Sequence, residues 1–381
     1  MSRSERGYDA IVVGVGGMGS AAAYHLARRG LRVLGLERFQ IPNTMGASHG
    51  LTRIIRLAYF EDPAYVPLLR RSYELWRELE AEAGERLLFI TGGIDAGPPG
   101  SRVFEGSLES CRQHHLDHEL LTAADLASRF PAYRLPESTL AVFQPDAGLL
   151  KPERCVIAHA GAARALGADL REGERALEWS AGPPARVKTD RGTYEADRLV
   201  LTAGPWAGAL VPALAGVLQP ERQVVAWFEP RRPELFTPAA FPVFVVDVPE
   251  GIHYGFPAFE IPGFKVGRFH HLREPVDPDR VDRDVRSEDE GVLRSFVSAY
   301  FPDGLGPVLR TSVCMFTNSP DENFVVDRLP EAPGVVVGAG FSGHGFKFCG
   351  VVGEVLADLA VDGRTRHEIG LFRLDRFRIR S

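Results

Sequence analysis

Residues 8–38, YDAIVVGVGGMGSAAAYHLARRGLRVLGLER, decide the fold. Ala10–Val13 is a short β-branched and apolar run, the pattern of a strand buried on both faces. It leads into Gly14, Gly16 and Gly19, a G-x-G-x-x-G spacing. Ser20–Arg29 has helical character, with Tyr24, Leu26 and a run of alanines forming one apolar face. Gly30 ends that helix. Leu31–Leu36 reads as a second strand with Glu37 at its end. In such a unit Gly14 permits the tight turn, Gly16 lets the backbone approach a pyrophosphate, and Gly19 lets helix and strand pack closely. The helix N-terminus presents unpaired N–H groups and a positive dipole end to phosphates. Strand, glycine turn, helix, strand and terminal acid stand in the right order, so the stretch predicts a dinucleotide site rather than an idle turn. An acid at Glu37, not a base, argues for a free ribose 2′-hydroxyl, hence FAD or NAD rather than NADP. The motif alone does not choose between those two.

The totals set the frame. A chain of 381 residues exceeds what one core usually supports, so two domains are expected. The 45% hydrophobic and 25% charged shares suit an ordinary globular protein. A net charge of −6 with no long basic block argues against nucleic acid, and an anionic substrate would need local Arg or Lys. No apolar run approaches membrane-spanning length, and MSRSERGYDA lacks the apolar core of a signal peptide; a cytoplasmic location is the expectation. Cys111, Cys155, Cys314 and Cys349 are too widely spaced for a metal pattern or a disulfide framework.

Outward from the glycine motif, Gln40–Leu51 is polar and irregular and is expected to wrap the cofactor. Arg53 and Arg56 follow in LTRIIRLAY and would share one face of a helical piece. Pro63 opens an amphipathic helix to about Ala83, and Gly84 ends it. Leu87–Ile94 reads as a strand broken by Gly92 and Gly93. Ser107–Cys111 and Ala123–Phe130 read as helices. His114, His115 and His118 cluster without a completing ligand, so a solvated helix end is expected there. Ala147–Leu150 is turn-like and Lys151–Leu166 helical. Short strands follow around Glu172 and Val187, then Arg198–Thr202, closing with TAGPW at Thr202–Trp206. From Val217 to Ser312 the chain is β-rich and proline-rich, as suits an antiparallel sheet, with one charged helix at Ser287–Tyr300. Val335–Val337, a second glycine turn at Gly338–Gly345 and a helix at Phe346–Val361 restore α/β character. A nucleotide domain interrupted by a β-rich insertion favours FAD over NAD.

The glycine motif, SHGLTRIIRLAY, TAGPW, CMFTNSPDENFVVD and GAGFSGHGFK, in that order along essentially the whole chain, resemble the monomeric sarcosine oxidase family, which includes N-methyltryptophan and pipecolate oxidases. The resemblance implies an α/β, two-domain protein. A glutathione-reductase-type FAD-binding Rossmann domain (1–88, 148–215 and 315–381) would carry a mixed or antiparallel-sheet catalytic domain (89–147 and 216–314). It implies FAD held covalently by Cys314 through a thioether to the flavin 8α carbon. Arg56 and Lys347 match the pair that binds the substrate carboxylate, and Arg53 a second arginine close to the flavin. Lys265 matches the lysine assigned to oxygen activation, and Tyr254 a tyrosine lining the substrate pocket. The cofactor-binding set is Gly14, Gly16, Gly19, Glu37, Arg38, Ser48, Cys314, Gly340, Gly343, Gly345 and Lys347; no metal is expected.

Two positions depart from the family. Phe316 stands where the sarcosine enzymes place a tyrosine. Their active-site histidine falls on Phe269, with His270 and His271 just beyond, so Phe316 and His270 join Arg56, Lys347 and Tyr254 as substrate-binding candidates. The expected activity is FAD-dependent oxidation of an N-methyl or cyclic secondary amino acid by O2, giving an imine and H2O2, in a monomer. A pipecolate-, proline- or N-methyltryptophan-type oxidase, a flavin dehydrogenase with another acceptor, a non-catalytic flavoprotein and an NAD-dependent dehydrogenase stand as alternatives.

Overall fold

The computed structural model describes residues 7–377; the N-terminal stretch before Gly7 and the last four residues lie outside them. The first strand, Tyr8–Val13, lies at the centre of an eight-stranded sheet. It pairs in parallel with Val33–Leu36 on one side and Thr193–Leu201 on the other. Parallel pairing needs a crossover, and helix Gly17–Arg28 supplies it from the glycine turn. Thr193–Leu201 divides its partners. Its first half pairs antiparallel with Ala185–Thr189, and its second half pairs in parallel with Ala332–Ala339. The late strand-turn-helix unit therefore returns beside the first one. A Cβ on Gly353, in the closing helix Cys349–Asp362, would sit 2.6 Å from Ala21, so these two helices meet backbone to backbone.

A second eight-stranded sheet runs in the order Val308–Asn318, Gln219–Phe228, Phe264–Arg268, Gly251–Phe256, Val243–Val248, Gly93–Gly97, Leu140–Gln144, Glu119–Thr122. One pair, Val243–Val248 with Gly93–Gly97, is parallel and the rest are antiparallel, so the sheet is mixed. Its own aromatic core, with Phe236, Phe241, Phe244, Phe264 and Phe301, is distinct from the core under the first sheet. A small three-stranded sheet, Arg53–Ile55, Gly148–Leu150 and Leu88–Ile90, completes the β structure among the described residues.

Several local expectations are corrected. Arg53 and Arg56 are not on a helix: Arg53–Ile55 is a strand, and Arg56 follows it. Ala147–Leu150 is not a turn, because Gly148–Leu150 is the middle strand of the small sheet. Gly148 is needed there for close approach, since a Cβ would lie 2.0 Å from the Phe89 carbonyl oxygen. The Leu87–Ile94 run becomes two strands in different sheets, Leu88–Ile90 and Gly93–Gly97. The helix around Ser107 spans Arg102–His114, and the stretch around Glu172 and Val187 holds three strands rather than two. His114 and His118 meet backbone carbonyls, and no metal-holding cluster occurs among the described residues. Nor is any described helix long and apolar enough to cross a membrane.

The glycine turn offers a direct check. A Cβ on Gly19 would sit 1.8 Å from the Gly14 carbonyl oxygen, whereas one on Gly16 meets nothing nearer than the Ser48 hydroxyl at 3.8 Å. Gly19→Ala should lower stability in urea denaturation by about 1–3 kcal/mol through overpacking. Gly16→Ala should leave the midpoint close to wild type.

Candidate active site

Two adjoining cavities lie between the sheets. The larger, of about 390 Å³, begins at the glycine turn. Gly14 adopts φ +88°, and a Cβ there would strike the Thr202 carbonyl oxygen at 2.5 Å. The Thr202 hydroxyl donates to the Gly14 carbonyl at 2.8 Å, so TAGPW holds the turn from the neighbouring strand. Helix Gly17–Arg28 starts with Gly16 as its N-cap, without a capping side chain or an acid in its first turn. Its N-terminus is thus left for an anion. Ser48 accepts from the Gly17 N–H at 3.1 Å. Glu37 is buried at the end of the second strand and accepts from the Val15 and Phe39 N–H groups at 2.9 and 3.0 Å. Arg38 lines the rim, ion-paired to Asp279 at 2.5 Å and lying over the Phe39 and Trp206 rings. Gly340, Gly343 and Gly345 line the opposite end; Gly343 has φ +79°, and a Cβ there would meet the Phe316 ring at 2.4 Å.

A flat, doubly phosphorylated nucleotide cofactor fits this donor set. A Cβ on Gly16 would meet nothing nearer than Ser48 Oγ at 3.8 Å, the helix carries no acid in its first turn, and the buried acid Glu37 ends the second strand.

The smaller cavity, of about 90 Å³, shares Arg53, Cys314, Phe316, Gly343 and Phe346 with the larger. Alternation along Val308–Asn318 puts Ser312, Cys314 and Phe316 on one face, and all three line this cavity. Burial pushes the Cys314 thiol up, against the pull of Arg53, Lys265 and Arg283. Phe269 also lines the smaller cavity, with its ring 5.5 Å from that of Phe316. Tyr254 lines it from Gly251–Phe256.

The far wall is cationic. Arg56, buried, gives Nε to Asp95 at 2.9 Å and Nη2 to Glu61 at 3.0 Å, leaving Nη1 without a hydrogen-bond partner among the described residues. Burial opposes the charge, but Asp95 and Glu61 more than offset it and raise the pKa. The Ser107 hydroxyl fixes Asp95 at 2.6 Å. The Gln144 side chain accepts from the Leu57 and Ala58 N–H groups, setting the path of the chain after Arg56. Lys347 Nζ donates to the His344 carbonyl at 2.7 Å and approaches the Tyr59 hydroxyl at 3.5 Å. Among the described residues it pairs with no carboxylate, and burial, then the Arg56 charge, bring its pKa down to about 7. Trp76 holds the Lys347 carbonyl from behind at 2.9 Å. The His344 ring bridges the Tyr59 hydroxyl at 2.6 Å and the Glu322 carbonyl at 2.9 Å. The carbonyl requires a proton on Nε2, so Nδ1 accepts from Tyr59. His49 also lines the wall; its Nε2 is buried without a partner, and burial pushes its pKa down to about 4.

Arg53, Arg56, Lys347, Tyr254, Phe316 and Cys314 are thus brought together. Lys265 stands one layer back, behind the wall segment Gly50–Thr52, and donates to Gly50 O, Thr52 O and Thr52 Oγ1 at 2.8, 3.0 and 3.1 Å. His270 is not brought to either wall. Both its ring nitrogens are engaged at 3.0 Å, by Glu221 and Glu322, and those acids overcome burial to raise its pKa to about 9. His271 is turned to Asp289. Phe269 alone of the three faces the substrate side. Sequence reasoning missed Glu61 and Asp95, which lie in no motif, and Tyr59, which closes SHGLTRIIRLAY but was given no role. The signal that could have found Asp95 is an acid between Ile94 and Ala96 in a strand.

The model of the FAD dependent oxidoreductase family, DAO, matches residues 9–359. The chain is 44% identical to monomeric sarcosine oxidase of Streptomyces avermitilis, covering 96% of each chain. It is 37% identical to N-methyl-L-tryptophan oxidase of Yersinia pestis, over 97% of this chain and all of that one. Among solved structures, NikD, an amino acid oxidase essential for nikkomycin biosynthesis, superposes with a TM-score of 0.83 at 28% identity, covering 96% and 97% of the two chains. The chain belongs to the FAD-dependent oxidoreductases and, within them, to the monomeric sarcosine oxidase family. It is a flavin-dependent amine oxidase.

The position of Lys347 has a pH consequence. A carboxylate bound beside Lys347 would pair with its charged form, and burial brings the pKa of the free protein's Lys347 down to about 7. The affinity of a simple carboxylate ligand should therefore be full below pH 7 and fall towards tenfold per unit above it. Lys347→Arg, which stays charged, should flatten that slope; a wild-type slope of zero across pH 6–8 contradicts the assignment.

Proposed function

We propose that this protein oxidises the secondary amine of a small N-methyl or cyclic amino acid, sarcosine among them, with O2 as final acceptor. The products are an imine, which water hydrolyses to the amino acid and an aldehyde when the substrate is N-methylated, and H2O2. The observation that carries the reading is the junction of the two cavities at Cys314 and Arg53, with Arg56 and Lys347 on the wall of the smaller one. FAD, when bound, supplies the two-electron acceptor.

The chain's own residues do the rest. Gly14, Gly16, Gly19, Ser48, Glu37 and Arg38 hold the nucleotide half, and Gly340, Gly343 and Gly345 the other end. Cys314 tethers the cofactor through a thioether at the 8α carbon. Arg56 Nη1 and the Lys347 ammonium take the substrate carboxylate, fixing the amine towards the shared wall. Phe60, Ile252, Tyr254, Phe269 and Phe316 exclude water, which favours the neutral, reactive amine without an obligate side-chain base. Arg53 stands between the two cavities. Lys265 supplies a fixed positive charge to the negative charge that develops on O2. The first sheet with its helices is the FAD domain and the mixed sheet the substrate domain, in a cytoplasmic monomer. A cavity of about 90 Å³ is smaller than the roughly 150 Å³ that accepts a benzene ring. It supports a small substrate over one bearing an indole.

Sarcosine or a cyclic secondary amino acid, added without air, should bleach the visible flavin band of the purified protein. Air should restore the band with one H2O2 per cycle. A band that persists with every secondary amino acid tried contradicts the reading. Acid precipitation should leave the colour in the wild-type pellet and in the supernatant of Cys314→Ala; a colourless wild-type pellet refutes the tether.

A further inference from the structure

The segment that separates Lys265 from the smaller cavity is a strained turn. Gly50 has φ +99° and Leu51, a leucine, has φ +67°. A branched side chain in the left-handed region persists only where its surroundings hold it. Glu153 does the holding. Its Oε1 accepts from the Gly50 N–H at 2.6 Å and the Leu51 N–H at 3.1 Å, and its Oε2 accepts from the Leu51 N–H at 3.2 Å. Glu153 lies half-buried in the first turn of helix Pro152–Ala165, where the helix dipole favours a negative charge.

The other side of the same turn belongs to Lys265. The peptide group joining Gly50 to Leu51 gives its N–H to Glu153 and its carbonyl to Lys265 Nζ at 2.8 Å. One peptide thus lies between an anion and a cation, an arrangement in which each hydrogen bond polarises the other. Thr52 O and Oγ1 take the two remaining ammonium protons. The rings of Phe256 and Trp227 lie 4.6 and 5.2 Å from Nζ.

We infer that Glu153 is the positioning residue and counter-charge of Lys265, acting through the Gly50–Leu51 peptide. That role rests on the assignment of Lys265 to the oxygen step. The charged and titratable groups facing Lys265 are Arg53 on Arg53–Ile55, Arg310 and Cys314 on Val308–Asn318, His49 beside the turn, and Glu153. Burial and then Arg53 push the lysine well below its ordinary range, and Glu153 is the one carboxylate among these groups that opposes them. A sulfur bonded to carbon at Cys314 carries no charge, so in the tethered protein Glu153 is the anion among these groups that supplies that opposition. The acid opposes the loss of charge at Lys265 and keeps the turn in the shape that presents it.

The chain has four lysines, Lys151, Lys188, Lys265 and Lys347, so isotopically labelled lysine gives few side-chain NMR signals to resolve in the holoprotein. Lys265→Met identifies the signal. Glu153→Gln retains an oxygen to accept the N–H groups but removes the charge. It should lower the Lys265 titration midpoint by about one unit or more, and the high-pH decline in the rate of reoxidation by O2 should move with it. Glu153→Asp, which keeps the charge, should restore both towards wild type. A Lys265 midpoint unchanged in Glu153→Gln overturns the inference. A reoxidation rate that is indifferent to Lys265→Met instead overturns the oxygen assignment, while the shifted NMR midpoint still stands for the coupling.

Discussion

A guanidinium buried in a protein interior must be surrounded by acids, and the Arg56–Asp95–Glu61 cluster is the constraint around which this molecule is assembled. Arg56 follows the small sheet, while Asp95 lies inside the mixed sheet, on the strand Gly93–Gly97. Their contact therefore ties the end of the small sheet to the mixed sheet. It also leaves one nitrogen of the guanidinium unspent at the wall of the smaller cavity. The side chain that ties these sheets is also the one proposed to take the substrate carboxylate. Loss of either acid would leave a buried charge short of a partner, an effect of about 3–5 kcal/mol in comparable cases.

Lys265 and Lys347 follow the opposite rule. Lys151 and Lys188 have carboxylate partners, whereas Lys265 and Lys347 are buried against carbonyls and hydroxyls. Burial drives both below the ordinary lysine range. A fold selected for stability alone would pair them or replace them. In the proposed reaction these charges are electrostatics held ready for anions: a carboxylate at Lys347, and reduced oxygen at Lys265, whose counter-charge Glu153 acts through the Gly50–Leu51 peptide.

Much of this arrangement could be read from residue order. The glycine spacing with Glu37 gave the first sheet because each glycine answers to a contact: Gly14 to Thr202, Gly19 to Gly14, and Gly16 to open space. The helices at Val66–Ala83, which a 3-10 turn at Pro63–Tyr65 leads into, Pro152–Ala165 and Ser287–Tyr300 were plain from residue pattern and from their proline or glycine ends. Gly148–Leu150 was not, since a glycine chosen for close approach between strands looks like a glycine chosen for a turn. Arg53 and Arg56 looked helical because their spacing of three fits a helix, yet the β-branched Ile54 and Ile55 between them favour the strand that forms. At the site, residues within family-like motifs were legible. Their partners were not: Glu61, Asp95 and Glu153 are isolated acids whose roles exist only once distant segments meet. His270 was misleading for a related reason. The chain turns at His270 with φ +55°, delivers Phe269 to the cavity and gives the histidine to Glu221 and Glu322.

The central claim is that charge at the substrate's acid group, met by Arg56 and Lys347, governs productive binding. Rapid anaerobic mixing can compare sarcosine with its methyl ester, which keeps the amine and loses the charge. The account predicts that the ester reduces the flavin at least about 100-fold less efficiently, as expected when a buried cationic pair is left without its anion. Equal efficiency for acid and ester would contradict it.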